Sequence, residues 1–139
     1  MQRIHAERHF AIPVGRVYAY LSEHENLGPL FGARVNRVRD GDASRNGVGS
    51  ARSLKVGPLP AFDETVTMAV PDERIDYRIT RGGPLRDHRA SMRFTPRDGG
   101  TQLVYDIEFG AVVPGLGRLV KLILERSLRV GLDEVARRA

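Results

Sequence analysis

Residues 101–138 read TQLVYDIEFGAVVPGLGRLVKLILERSLRVGLDEVARR, and the period of the apolar pattern changes partway through. From Thr101 to Phe109 it is two: Leu103, Tyr105, Ile107 and Phe109 fall on one side, Val104, Asp106 and Glu108 on the other. That is a strand with one buried face. Pro114-Gly115 stops it. Leu116 to Arg138 then carries Leu116, Leu119, Val120, Ile123, Leu124, Leu128, Leu132 and Val135 at helical spacing, with Arg118, Lys121, Arg126 and Arg129 on or beside the polar side. Gly131 weakens the last turns. A long helix with a broad apolar stripe needs a sheet to cover it.

Upstream, the chain supplies that sheet. Arg3–Ile12 is strand-like, with Ile4, Ala6, Phe10 and Ile12 on one parity and Arg8 among them. Pro13 stands where a helix starts, and Val14, Val17, Tyr18 and Leu21 form one face of a short helix. His24–Phe31 reads as a second short helix interrupted by Gly28-Pro29, and Gly32 closes it. Strands are then expected over Arg34–Arg39, Ser50–Val56, Phe62–Val70, Arg74–Thr80, His88–Thr95 and Thr101–Phe109, separated by turns rich in Gly, Pro, Asp and Ser. Short connections favour antiparallel pairing. The expected fold is α+β, one domain over residues 1–139: a curved antiparallel sheet gripping the C-terminal helix, with two short helices after the first strand. A ligand cavity is expected between helix and sheet.

Composition narrows the function classes. The chain has 139 residues, 41% hydrophobic and 28% charged, with no Cys and no Trp, so thiol nucleophiles and thiolate metal sites are excluded. No apolar run approaches the roughly 18 residues of a membrane span, and Met1 to His5 lacks a signal-peptide core. The expectation is a soluble, cytoplasmic protein. Net charge is +5, but the cations are spread along the chain with no block longer than Arg137-Arg138, so no nucleic-acid partner is expected. No cofactor and no metal are expected either. His5, Glu7 and His9 share a strand face, yet His5 and His9 would stand about 13 Å apart at the usual rise per residue. No phosphate loop and no Gly-x-Ser-x-Gly elbow occurs.

Phe10-Ala11-Ile12-Pro13-Val14 followed by Val17-Tyr18-Ala19-Tyr20-Leu21 resembles the entry motif of the polyketide cyclase/dehydrase group within the START-like, helix-grip superfamily. Gly49 with Arg52, Gly99-Gly100-Thr101-Gln102-Leu103, and the closing helix extend the resemblance over nearly the whole chain. It implies the helix-grip fold. It leaves function open, because such members include cyclases, lipid carriers, hormone receptors and chaperone cofactors. Members often carry a Trp after the short helices; here Phe31 is the aromatic in that stretch.

Strand parity places candidate chemistry inside. Arg52 and Glu64 share the apolar faces of neighbouring strands and would pair there, since burying either alone is costly. His88 is inward on its strand, at a start position expected to face a solvent-filled mouth, and suits acid–base work near neutral pH. Tyr77 and Tyr105 point inward and can offer hydroxyls to a ligand. Met68, Met92, Phe94, Leu103, Leu124 and Leu128 are the expected apolar lining. The reading favoured is a carrier or binding protein for a small, mostly hydrophobic molecule, lipid- or polyketide-like. The first alternative is a cyclase, dehydratase or isomerase in which His88 or Glu64 moves a proton and Tyr105 or Arg52 steadies an enolate. The second is a protein-interaction module with a filled cavity and an external apolar patch. Oligomeric state is not legible.

Overall fold

The computed structural model describes residues 1–139. Its elements run β1 (Gln2–Phe10), α1 (Val14–Ser22), a 3-10 turn (His24–Asn26), α2 (Gly28–Phe31), β2 (Arg34–Arg39), β3 (Ala51–Lys55), β4 (Phe62–Val70), β5 (Arg74–Gly82), β6 (Leu85–Arg97), β7 (Gly100–Ala111) and α3 (Leu116–Arg138). The seven strands form one sheet in the order β1-β7-β6-β5-β4-β3-β2, every neighbouring pair antiparallel. With α3 packed on the concave face, this is the helix-grip arrangement.

The alternating strands fold as their parity dictates. In β1, Ile4 and Phe10 are buried while His5, Glu7 and His9 are exposed. In β7, Leu103, Tyr105, Ile107 and Phe109 are all buried. The carbonyl of Pro13 accepts the amides of Arg16 and Val17 and so begins α1. Gly28-Pro29 opens a helical turn of its own instead of interrupting one, because Pro is tolerated where no amide partner is needed.

Two expectations fail for physical reasons. The β4–β5 register shifts between Val66 and Met68. The extra residue of this bulge flips the parity beyond it, so Met68 and Val70 are exposed on the outer face and Ala69 turns inward. Met68 therefore has no place in the lining. The apolar stripe of α3 is also not uniformly covered. Leu128, Leu132 and Val135 are buried, whereas Leu119 and Ile123 are half exposed. The helix makes its closest approach at Gly131, where an added Cβ would stand 2.4 Å from the Leu30 Cα. Gly131 thus admits α2 against α3, and helical geometry continues through it.

Candidate functional site

Register places the charged pair before any side-chain argument is needed. Arg52 and Glu64 are directly opposed across β3 and β4, and both are almost fully buried. Arg52 Nε donates to Glu64 Oε1 at 2.9 Å. Its Nη2 stands 2.8 Å from the same oxygen but off the hydrogen-bonding axis, which leaves that nitrogen without a hydrogen bond. The guanidinium carbon lies 4.6 Å from the Tyr77 ring centroid and 5.5 Å from that of Phe31, two rings that meet edge to face. Phe31, the aromatic of the stretch after the short helices, thus packs against Arg52.

Arg52 has a third partner that strand parity does not reveal. Its Nη1 donates to His24 Nδ1 at 3.2 Å, His24 Nε2 donates to Ser50 Oγ at 2.9 Å, and Ser50 Oγ donates to the Gly47 carbonyl at 2.6 Å. This chain of donors requires a neutral His24 protonated on Nε2. Burial, followed by the Arg52 charge, pushes its pKa down to about 3. His24 lies 28 residues from Arg52 on the 3-10 turn, and no local pattern announces it.

His88 owes its position to a break in the sheet. The β5–β6 register ends at Tyr77 and Ala90, the β6–β7 register shifts between Arg86 and Arg89, and Asp87 has a φ of 52°. The Ile79 amide, without a strand partner there, donates to His88 Nδ1 at 3.0 Å. The imidazole is thereby held in its Nε2–H form. β6 starts three residues before His88, which is consequently buried and not open to solvent. Burial lowers its pKa, partly opposed by Glu64, so it is neutral at pH 7. His88 Nε2 and Glu64 Oε2 stand 3.8 Å apart, too far for a direct bond.

Both groups open onto a cavity of about 80 Å³ between the sheet and the N-terminal half of α3. Its walls come from Leu54, Phe62, Tyr77, Ile79, Leu85, Phe109 and Leu124 among others, and Glu64 and His88 are its only ionisable residues besides Tyr77, whose hydroxyl is bonded to that of Tyr105. Glu64, Tyr77 and His88 line the cavity on the faces expected from strand parity, and Leu124 does so from the helical stripe. Arg52 sits behind Glu64. Tyr105 sits behind Tyr77, its hydroxyl hydrogen-bonded to that of Tyr77; burial holds both phenols above their usual pKa and so neutral. Met92, Phe94, Leu103 and Leu128 face inward but belong to the packed core, Phe94 against the Tyr18 ring at 5.3 Å. Alternation marks the inner face, not the place along it where a cavity opens. The mouth residues Leu59 and Pro84 stand in turns between strands, where no alternation marks a face, and Ile123 is on the half-exposed side of α3.

The polar face of β1 binds its own sheet. His5 Nδ1 pairs with Asp106 at 2.5 Å, while His9 Nε2 donates to the Arg97 carbonyl at 2.9 Å. No helix is long and apolar enough to cross a membrane.

A family model described as polyketide cyclase / dehydrase and lipid transport matches residues 1–139. No curated protein matches the sequence. Among solved structures, a Thermus thermophilus protein superposes with a TM-score of 0.78 at 18% identity, over 99% of this chain and 96% of that one. The Zhui aromatase/cyclase of a Streptomyces species gives 0.77 at 19%, over 99% and 94%. A START superfamily protein from Mycobacterium smegmatis gives 0.75 at 15%, over 96% and 92%. At such identities the likeness is one of fold.

Proposed function

The chain belongs to the polyketide cyclase/dehydrase and lipid-transport family, and from that premise we propose that it binds a small, mostly apolar molecule carrying one hydroxyl group. One observation carries the reading. In an otherwise apolar cavity, a hydrogen-bond donor (His88 Nε2–H) and an acceptor (Glu64 Oε2) face each other across 3.8 Å. A ligand hydroxyl between them accepts from His88 and donates to Glu64, and the apolar remainder lies against Leu54, Phe62 and Leu124. Drug-sized ligands occupy about 300–1,000 Å³, well above the cavity's about 80 Å³. A molecule of that size enters by displacing the N-terminal half of α3, the cavity wall least covered by other elements.

Binding is favoured over the cyclase or dehydratase alternative by the state of the same groups. Glu64 already accepts a hydrogen bond from Arg52 through Oε1, and neutral His88 offers a hydrogen bond more readily than a proton. Arg52 and Tyr105, the groups that would steady an enolate, stand behind Glu64 and Tyr77 and are not among the residues that line the cavity.

Native mass spectrometry of protein purified without detergent, followed by denaturing extraction, tests the proposal. A stoichiometric adduct of a few hundred daltons that weakens in Phe62→Ala supports it. A bare mass together with no thermal shift across a panel of apolar alcohols refutes it. Turnover of such a compound, lost in His88→Ala, would move the enzyme reading to first place.

A further inference from the structure

The outward face of α3 is apolar where a helix on a sheet is ordinarily polar. Leu119, Leu122, Ile123 and Val130 are each at least half exposed, Leu122 at 60%. With 3.6 residues per turn they fall on one stripe with Arg126, opposite Leu124, Leu128 and Val135. The stripe continues into the β7–α3 connection, where Val112 is 70% exposed and its amide is bonded to the Pro84 carbonyl at the cavity mouth. Ile123 belongs to both the stripe and the cavity wall. The exposed apolar surface and the mouth are therefore one continuous feature.

Charge decides the partner. Arg118, Arg126 and Arg129 are exposed beside this stripe and Lys121 is half-buried. None of the four joins an ion pair; those of α3 involve Asp133 and Glu134. Glu125 is the sole acidic residue between Glu108 and Asp133. A second copy of this face would oppose cations to cations. An anionic lipid surface supplies both an apolar layer for the leucines and negative charge for the arginines.

We propose that the α3 face around Leu119, Leu122 and Arg126 docks on an anionic bilayer and brings the cavity mouth against the acyl layer. The docking surface lies outside the ligand contacts proposed above and is tested separately from them.

The test is co-sedimentation with vesicles of phosphatidylcholine alone or mixed with phosphatidylglycerol. The wild-type protein is expected on the mixed vesicles, with release at high salt. Leu122→Asp and Leu119→Asp should each weaken partitioning by about tenfold or more, since each removes roughly one leucine of apolar burial. Arg126→Glu with Arg129→Glu should abolish the preference for anionic lipid. An absence of wild-type binding, equal binding by Leu122→Asp, or a wild-type dimer in sedimentation velocity that Leu122→Asp dissociates would each overturn the proposal. Binding of an anilinonaphthalene sulfonate probe is read on the same samples. Probe binding without vesicle binding sinks docking and leaves the ligand reading intact. Vesicle binding without probe binding sustains docking and counts against the ligand reading.

Discussion

The two halves of α3 share one apolar period and meet different environments. From Leu128 to Val135 the helix is core: Leu128, Leu132 and Val135 are buried, and Gly131 lets the α2 backbone close on it. From Leu116 to Leu124 it roofs a cavity, with Val120 and Leu124 only partly covered and Leu119 and Ile123 half exposed. The difference teaches that the grip is held at one end by packing. At the other end α3 only roofs the cavity through Val120, Ile123 and Leu124, while the buried ion pair beneath ties β3 to β4 and not to the helix.

Glu64→Ala tests the ion pair most severely. It strands the Arg52 charge in the interior and should cost about 3–5 kcal/mol in denaturant unfolding, with much of the loss recovered in Arg52→Met/Glu64→Leu. A cost near zero would mean that the cavity end does not depend on this pair. Leu128→Ala should cost about 3 kcal/mol, while Leu119→Ala stays within about 0.5 kcal/mol; equal losses would erase the contrast between the halves. Gly131→Ala should destabilise by about 1–3 kcal/mol, since backbone must move to accept the new Cβ.

Acid should loosen the cavity end. His24 is neutral in the folded state down to about pH 3, while the unfolded chain protonates it near 6.5. Below about pH 6.5 the unfolded state therefore binds more protons, and stability falls as pH falls toward 3. The slope approaches about 1.4 kcal/mol per pH unit for this group. His88, also lowered, adds a slope of the same sign. His24→Asn should flatten the profile, an outcome read from unfolding curves at a series of pH values. An unchanged profile would remove His24 from the support of Arg52.

Much of this arrangement was legible in the chain. Opposed placement of Arg52 and Glu64, inward Tyr77 and His88, and the extent of α3 all follow from parity, period and turn residues. Met68 was misplaced because one bulge after Val66 reverses parity, and nothing in Thr67 or its neighbours signals it. Met92, Phe94, Leu103 and Leu128 were correctly turned inward yet assigned to the cavity when they fill the core. His24 was passed over because its partner is contributed by a strand 28 residues away.

Period, parity and turn chemistry are properties of a few consecutive residues, because backbone geometry alone sets which side chains share a face. Those the sequence determined by itself: seven strands, their inner faces except in β4 beyond Val66, and a closing helix with an apolar stripe. Where the helix touches the sheet and where it stands off, which inward residues meet a void, and what neutral group receives the Arg52 guanidinium depend on distances between segments far apart in the chain. Only packing in three dimensions sets those distances, and so tertiary structure alone decided where the cavity opens and which of its polar groups are free to meet a ligand.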